Sequence, residues 1–484
     1  MFRNPLNCTI VLLLSCVSLA SCGGRGGHMG GPPPPGTAPV VLTMTDTPPT
    51  NVTILSAEVT LTGVTLNPGN VPVFSGSRTL ELTRLQTDIA YIGTTLIPPG
   101  SYNGTITVTF SNPTLTIEND TANSLATGGS NPPCAPAAIC TIHSVATNLS
   151  TTITLSPVFT VSATSGGALL VDVNLDNLLS ATLGADFING VTVSQFTPAG
   201  SDAPPVGAED VVGHVVSTDM THGTFSFQNA VETVSLAVDN TTTFLNFPTG
   251  TCTNFSIACV QVNQILSVDI SFRADGTAVA RNVVFEDADS TDFEVEGIIT
   301  STGSLTFKMV TLAESDPALS STLPIGALTT VTFTGSTPSD VDFTHADNNS
   351  IDTTGFLFNV NVPTDLIVGQ QVQVRRNPAS SGVSISADRV RLRSSRARGT
   401  YQNGPPSLFN LTPSASLFTA HAIPQIVVKV SSGSGSGPTI CTGIGLGTPP
   451  SCSALAATHG ESVRGPLFAN AGTPTVVASK VIQH

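Results

Sequence analysis

Arginine is the residue type in this sequence whose spacing best suits ligand binding. Seven of the 14 arginines lie between positions 375 and 398. Within residues 389–393 an arginine stands at every second position, which puts three guanidinium groups on one face of a strand. Guanidinium groups bind phosphate, sulfate and uronate oxygens with paired hydrogen bonds. The pattern predicts a site for an anionic glycan, and its candidate residues are Arg375, Arg376, Arg389, Arg391 and Arg393.

The same arginines have a second interpretation inside the chain. An acidic segment precedes them, and it ends one repeated unit and begins the next, as the basic segment does. Its carboxylates belong to Glu286, Asp287, Asp289, Asp292, Glu294 and Glu296. Charged strand faces are common in β proteins and are usually structural. Pairing between the two segments would join neighbouring domains, and this alternative stays open at the level of sequence.

The acidic segment also contains an incomplete calcium pattern. Asp287, Asp289 and Asp292 stand close together in DADSTD, and carboxylates at alternate positions can converge on a hard cation. The turn glycine and the terminal glutamate of a complete EF-hand loop are not in place. The alternative is a polar loop between units. We predict no metal and no other cofactor.

No catalytic motif is found in the sequence. It contains no HExxH, no GxSxG and no phosphate-binding loop. The eight histidines are scattered, and none has a nucleophile or carboxylate partner at motif spacing. We therefore expect a noncatalytic protein, and an enzyme whose site forms only on folding is the third hypothesis.

The first 39 residues predict export and a tether. Arg3 precedes an apolar run at residues 9–14, and Leu19-Ala20-Ser21 lead directly to Cys22. The next residues read GGRGGHMGGPPPPG, which is spacer composition. This arrangement resembles the lipobox of bacterial lipoproteins, in which the cysteine becomes the first mature residue and carries the lipid. The resemblance implies a signal peptide at 1–21, a tether at 22–39 and lipidation of Cys22.

The lipoprotein resemblance also implies a location in the cell envelope. Gly23 follows the cysteine, and in this family an aspartate there often signals retention at the inner membrane. Its absence implies the outer membrane, with the protein facing either the periplasm or the outside. No later stretch reaches the ~18 apolar residues of a spanning helix, so we expect the lipid to be the only membrane anchor.

Six of the nine cysteines form three close pairs. Cys8 and Cys16 fall in the predicted signal peptide, and Cys22 is the predicted lipid site. The pairs are Cys134 with Cys140, Cys252 with Cys259, and Cys441 with Cys452. An even number of locally paired cysteines in an exported chain predicts disulfides. A metal site is the alternative, but no pair has two-residue spacing or a neighbouring histidine ligand.

Composition and charge restrict the fold and the partners. Hydrophobic residues make up 40% of the 484 residues and charged residues only 10%, and Thr, Ser, Gly, Asn and Pro dominate the rest. This mixture favours strands and turns over helices. The formal net charge of −15 repels nucleic acid, so we predict no nucleic-acid partner.

Short alternating runs mark an N-terminal domain over residues 40–198. Residues 105–110 read TITVTF, and residues 59–66 alternate apolar residues with threonine or glycine. Period two predicts strands with one buried face and one exposed face. The order of TDTP at 45–48, LELTRL at 80–85 and LIPPGSY at 96–102 is similar to a lipoprotein domain known as domain of unknown function 4382. That resemblance implies a β-sandwich and assigns no activity.

After a Pro/Gly-rich linker at 199–211, an internal repeat predicts three units at 212–295, 296–397 and 398–484. Each unit opens on a glycine-containing strand and closes on a strand with the pattern Ala-x-x-Val. The closing strands contain VARNV at 279–283, SADRV at 386–390 and VASKV at 477–481. With Thr243-Phe244 and Thr332-Phe333 as central segments, the units resemble domain of unknown function 5666, for which no chemistry is known.

The fold class predicted from these patterns is all-β. It consists of an N-terminal β-sandwich-like domain followed by three tandem small β-barrel or β-sandwich units. We expect a noncatalytic, lipid-anchored envelope protein that presents β modules for adhesion, matrix assembly or contact with a glycan or protein, because repeated weak sites gain avidity. The alternative is a structural spacer or scaffold for an envelope partner, without a ligand of its own.

Overall fold

The structure is a computed structural model, and the residues that it describes all lie after residue 35. The described residues are 36–47, 53–86, 90–125, 127, 132–143, 149–163, 166–175, 190–196, 206–228, 233–245, 247–248, 252, 256–272, 277–288, 293–315, 322–341, 351–377, 383–414, 416–431, 439–443, 452–470 and 472–483. The predicted signal peptide, Cys22 and all but the last residues of the predicted tether lie outside this set.

The first eleven described strands belong to the N-terminal domain. They are β1 (Ala38–Thr47), β2 (Thr53–Asn67), β3 (Val71–Glu81), β4 (Ala90–Ile97), β5 (Gly100–Tyr102), β6 (Thr105–Glu118), β7 (Ile139–His143), β8 (Ser150–Thr154), β9 (Phe159–Val161), β10 (Gly167–Asn174) and β11 (Val191–Phe196). Strand β6 shows the predicted alternation, because Ile106, Val108 and Phe110 are buried and the threonines between them are partly exposed. Strand β1 begins at Ala38, within the segment predicted as tether.

Two sheets of this domain enclose one core. The first has the order β11-β10-β1-β4, and the second has the order β3-β2-β6, with β7 and β8 both beside β6. Leu42 and Val171 from the first sheet share a buried cluster with Leu61 and Val108 from the second. Apolar faces packed in this way form a β-sandwich, and β5 and β9 add a separate two-stranded sheet.

The remaining strands form three sheets, one for each unit, which we name barrels 1, 2 and 3. Barrel 1 contains β12 (Val206–Asp219), β13 (Thr224–Gln228), β14 (Thr233–Ala237), β15 (Thr243–Leu245), β16 (Ile265–Phe272) and β17 (Ala278–Asp287). Barrel 2 contains β18 (Glu294–Gly303), β19 (Thr306–Glu314), β20 (Leu328–Thr332), β21 (Ser339–Val341), β22 (Gln371–Arg376) and β23 (Ser384–Leu392). Barrel 3 contains β24 (Ser394–Asn403), β25 (Leu408–Pro413), β26 (Ile426–Val430), β27 (Ile440–Gly443), β28 (Gly460–Asn470), β29 (Thr473–Ala478) and β30 (Lys480–Gln483).

All three sheets close in the same way. When the strands of a unit are numbered one to six in chain order, the ring runs 1-2-3-6-5 and back to 1, and strand 4 lies outside it beside strand 6. In barrel 3 the sixth strand is divided into β29 and β30. Strands 3 and 6 pair in parallel, as β20 does with β23 and β26 with β29. A Greek-key ring of five strands in this order is an OB-fold ring, here with one extra strand.

A recurrent glycine in the first strand of each barrel has a steric cause. Gly213, Gly297 and Gly399 are the opening glycines of the repeat. A Cβ atom at these positions would lie 2.4, 2.6 and 2.1 Å from a carbonyl oxygen of the second strand, at Gln228, Val310 and Thr412. Those distances are shorter than any van der Waals contact, so only glycine permits the two strands to approach this closely.

The repeated closing motifs all lie on the sixth strands of their barrels: on β17, on β23, and across β29 and β30. The unit boundaries differ from the predicted ones, because β12 begins at Val206 within the predicted linker and β24 begins at Ser394, before residue 398. The Thr-Phe segments are not equivalent: Thr243-Phe244 lies on a fourth strand, whereas Thr332 ends a third strand. Such a dipeptide is too short to identify a strand in a threonine-rich chain.

Disulfides join the three predicted cysteine pairs. The Cα–Cα distances are 5.8 Å for Cys134 and Cys140, 4.7 Å for Cys252 and Cys259, and 5.2 Å for Cys441 and Cys452. The helical segments among the described residues are short: 3₁₀ turns at Leu82–Gln86, Ile257–Cys259, Pro363–Asp365 and Cys452–Ala454, and an α-helical turn at Leu417–Ala420. Within the described part of the chain, no helix has the length and apolarity needed to cross a membrane.

Candidate functional site at the junctions between modules

The arginines singled out in the sequence lie where barrel 2 meets barrel 1. Arg389 and Arg391 are on the sixth strand of barrel 2, and Arg393 follows that strand directly. Their side chains become more buried along the strand, with exposed fractions of 17%, 3% and 0%. A face that loses its exposure in this way is covered by another part of the protein, so the arginines do not form an open basic surface.

Glu286, at the end of the last strand of barrel 1, is the centre of this contact. Its buried carboxylate accepts a hydrogen bond from Arg389 Nη2 at 2.6 Å and another from Arg391 Nη1. Arg393 Nη1 lies 3.8 Å from Glu286 Oε1. Three guanidinium groups of barrel 2 therefore surround one carboxylate of barrel 1. In a water-poor interior such charge-assisted hydrogen bonds are strong and directional.

A second glutamate shares the first of these arginines. Arg389 Nη2 also donates to Glu294 Oε1 at 3.0 Å, while the other carboxylate oxygen of Glu294 is buried and has no hydrogen-bond partner among the described residues. Burial and the neighbouring Glu286 raise the pKa of Glu294 from 4.5 to about 8, against the opposing effect of Arg389, Arg391 and Arg375. Glu294 therefore holds a proton near neutral pH.

The rest of the predicted clamp is also engaged inside the chain. Arg375 donates to Asp388 Oδ1 at 2.6 Å and to Asp287 Oδ2 at 3.0 Å. Arg391 contacts both oxygens of Asp340, at 3.0 and 3.1 Å. The backbone N–H of Arg376 donates to the carbonyl of Phe293 at 2.7 Å. These contacts bind barrel 2 to barrel 1 and join strands within barrel 2.

Arg393 spans the boundary between the two barrels. Its Nη2 donates to Ser267 Oγ of barrel 1 at 2.7 Å, and its Nη1 donates to Gln373 Oε1 of barrel 2 at 3.2 Å. The side chain is fully buried. A buried cation held by groups from two modules ties the position of one module to that of the other.

The N-terminal domain joins barrel 2 through another buried ion pair. Arg84 Nη2 donates to Glu296 Oε2 at 2.8 Å, and the side chain of Glu296 is fully buried. The second oxygen of Glu296 accepts a hydrogen bond from Gln371 of barrel 2. Glu296 belongs to the acidic segment predicted from the sequence, but its arginine partner lies in a different domain from the basic segment.

Barrel 3 joins its neighbours through apolar and polar contacts. Phe468 and Val477 of barrel 3 belong to the buried cluster of barrel 2, where the Phe468 ring lies 5.1 Å from the Phe356 ring. Gln370 of barrel 2 donates to the carbonyl of Leu467 at 3.0 Å. On the other side, His421 Nε2 of barrel 3 lies 3.2 Å from Glu118 Oε1 of the N-terminal domain.

These contacts correct the prediction of an anion clamp. The guanidinium groups of Arg375, Arg389 and Arg391 are paired with carboxylates, and Arg393 is buried, so the arrangement is that of the interdomain alternative. Of the calcium candidates, Asp287 pairs with Arg375, and Asp289 and Asp292 lie outside the described residues. Among the residues that are described, no three His, Cys, Asp or Glu side chains are grouped to hold a metal ion.

The raised pKa of Glu294 predicts a pH dependence of stability. Between pH 4.5 and about 8 the unfolded chain releases this proton while the folded chain keeps it, so the contribution of Glu294 to the free energy of unfolding falls as pH rises. Thermal unfolding of the wild type and of Glu294→Gln from pH 5 to pH 8.5 measures this. We expect the wild type to lose several degrees in Tm relative to the variant. Parallel curves would contradict the assignment.

The Tm of the wild type must be compared with that of Glu294→Gln at each pH, because another glutamate also titrates between pH 5 and pH 8.5. Burial raises the pKa of Glu461 in barrel 3 to about 7, against the hydrogen bond from Gln483. Its effect is present in both the wild type and the Glu294→Gln variant. The difference between their Tm values therefore isolates Glu294.

Known proteins supply no further indication of what these junctions do. No protein-family model matches the chain, and no curated protein matches it in sequence. The resemblances to the two domains of unknown function therefore stay predictions.

Proposed function

We propose that this protein is a noncatalytic, lipid-anchored component of the bacterial cell envelope, in which the sandwich and the three barrels act together as a rigid scaffold for an envelope partner. The observation that carries the proposal is the convergence of Arg389, Arg391 and Arg393 on Glu286. Domains that move independently are usually joined by modest polar interfaces. Buried charges that require partners from two modules oppose such movement, because separation would leave them unpaired.

A rigid arrangement suits a spacer or scaffold better than a flexible array of independent binding modules. The Arg84–Glu296 pair extends the connection to the N-terminal domain, and Phe468 extends it to barrel 3. All four modules are thus linked by at least one buried contact. A partner that binds across two modules would meet a surface that is already ordered, which lowers the entropic cost of binding.

Presentation of binding surfaces for a glycan or matrix component is the second candidate function. The feature that favours it is the OB-fold strand order of the three barrels, because barrels of this type often bind oligosaccharides or oligonucleotides. The acidic net charge of −15 disfavours nucleic acid as the partner. A fold alone does not establish a ligand. The scaffold therefore remains the primary proposal.

The anchor is tested by protease treatment of intact cells that express the wild type or Cys22→Ala, with lysed cells as the control. For a surface lipoprotein we expect the intact-cell wild type to be cleaved, and the variant to be released or mislocalised, because it lacks the acylated cysteine. Protection until lysis would indicate a periplasmic orientation and would direct the search towards envelope partners by crosslinking. Identical membrane association of the two proteins would contradict lipidation at Cys22.

A further inference from the structure

The outer face of the second sheet of the N-terminal domain carries threonines on three adjacent strands. On β6, the side chains of Ile106, Val108 and Phe110 are buried in the core, so the threonines between them point outward. Strand β2 pairs with one edge of β6 and β8 with the other. Together the strands present three rows of outward positions, which we name the threonine face: Asn67, Thr105 and Thr154; Thr65, Thr107 and Thr152; and Gly63, Thr109 and Ser150.

Hydrogen bonds between neighbouring strands hold the side chains of the threonine face in place. The hydroxyl oxygens of Thr107 and Thr152 are 3.1 Å apart, and those of Thr109 and Ser150 are 3.2 Å apart. Asn67 Nδ2 donates to the hydroxyl of Thr107 at 3.3 Å. Threonine is branched at Cβ and has few rotamers, so the face is a stiff array of hydroxyl and methyl groups. This order exists before any ligand binds, which lowers the entropic cost of binding.

The threonine face is open to solvent and carries no charge. Ser150, Thr152 and Thr154 are exposed, and the threonines of β6 are partly exposed. None of the positions that form the face is Asp, Glu, Lys, Arg or an aromatic residue, although the chain as a whole has a formal net charge of −15. Such a face is complementary to an uncharged surface and not to a nucleic acid or an anionic glycan. It also lacks the aromatic rings on which neutral sugars stack.

The dimensions of the threonine face indicate which kind of uncharged surface fits it. Paired strands lie ~4.8 Å apart and alternate residues of one strand ~6.7 Å apart, so the face is a nearly flat lattice of about 290 Å². That area is well below the ~800 Å² that each partner contributes to a stable protein interface. A regular lattice without a groove suits a repeating solid surface better than a folded partner. Water oxygens repeat at comparable distances on the surfaces of ice.

The rest of the same outer surface is already covered by barrel 2. Further along β6, the hydroxyl of the buried Thr116 donates to the carbonyl of Gly326 at 2.8 Å. The threonine face lies at the opposite end of β6 and takes part in none of the junction contacts described above. A ligand on this face therefore leaves the arrangement of the four modules unchanged.

We propose that the threonine face binds ice, with water molecules of the crystal surface hydrogen-bonded to its hydroxyls and packed around its methyl groups. The observation that carries the proposal is the paired, uncharged row of Thr65, Thr107 and Thr152 with a similar row on either side. Ice binding goes beyond the scaffold function and does not depend on it.

The test measures thermal hysteresis and the shape of seeded ice crystals in a solution of the chain from Cys22 onward, without its lipid. We expect the protein to hold the freezing temperature of the crystal below its melting temperature and to facet the crystal, because bound protein opposes growth of the ice surface. Absence of both effects at millimolar concentration would overturn the proposal. Binding to insoluble cellulose or chitin without any effect on ice would assign the face to a neutral glycan and would equally overturn it.

Substitutions then locate the surface that binds ice. Thr152→Tyr places a bulky ring in the middle row and should abolish the hysteresis, while tyrosine remains a good strand former. Thr412→Tyr makes the same change at an exposed position of β25 in barrel 3 and is the matched control, which should keep the wild-type hysteresis. Equal hysteresis in the two variants would overturn the assignment to the threonine face.

A second variant covers the case in which Thr152→Tyr does not fold, as judged by far-UV circular dichroism. Thr107→Ser keeps the hydroxyl in the middle row and removes only the methyl group. We expect it to reduce the hysteresis, because the methyl groups are part of the surface that the ice contacts. Hysteresis equal to that of the wild type would count against the threonine face.

Discussion

Replacing Glu286 with glutamine is expected to cost this protein about 3–5 kcal/mol of folding free energy, since it removes the negative member of a buried charge cluster. Glutamine has nearly the same shape, so the effect does not arise from lost packing. Arg393, which is fully buried, would keep its charge without the Glu286 carboxylate, and Arg391 would keep the contact with the half-exposed Asp340 but lose its buried partner. Arg389 would retain the backbone carbonyl of residue 286 and Glu294, which holds a proton near neutral pH.

Urea or thermal unfolding followed by far-UV circular dichroism measures this loss. The transition that belongs to barrels 1 and 2 should shift to lower urea or lower temperature. Asp219→Asn is the matched control, because Asp219 pairs with His222 on the surface of barrel 1 and both side chains are about half exposed. We expect no measurable shift for that variant. A loss below about 1 kcal/mol for Glu286→Gln would show that water reaches the cluster.

Replacing Phe468 with alanine is expected to destabilise the protein by about 3–5 kcal/mol, the usual range for a fully buried phenylalanine. Phe468 is 1% exposed and belongs to barrel 3, yet it fills the buried cluster of barrel 2 beside Phe356. Its removal leaves a cavity in a neighbouring module. We therefore expect barrels 2 and 3 to unfold in separate transitions, whereas in the wild type they unfold together.

Differential scanning calorimetry distinguishes the two outcomes for Phe468→Ala. The control is Leu408→Ala, also in barrel 3, because Leu408 is 50% exposed and its truncation should change stability by no more than about 0.5 kcal/mol. A Phe468→Ala variant that retains one joint transition at the wild-type Tm would contradict the coupling of barrels 2 and 3.

The local patterns predicted the elements well because the physics of a strand is local. Alternation at Ile106, Val108 and Phe110 reports directly which face is buried. The repeated glycines at Gly213 and Gly297 likewise reflect a local requirement, since each glycine permits a close approach between adjacent strands. The cysteine pairs were likewise predictable, because six, seven or eleven residues of separation favour a local bond.

The sites were less predictable because they depend on contacts between distant segments. The spacing of Arg389 and Arg391 correctly places both on one strand, but spacing does not reveal what covers that strand. Arg84 stands alone in LTRLQ, and nothing around it points to a glutamate 212 positions later. Phe468 is an apolar residue of the kind found in any core. Only the packing of barrel 3 against barrel 2 shows that it lies in the core of barrel 2.

The position of β1 has a mechanical consequence for a protein held by its N terminus. This first strand lies inside its sheet, paired with β10 over eight residue pairs and with β4 over seven. A pulling force transmitted through a lipid at Cys22 would enter the folded protein at this strand. An edge strand could peel away from a single partner, but β1 can leave only if both ladders of hydrogen bonds break. The strand at which such a force would enter is therefore held along both of its edges.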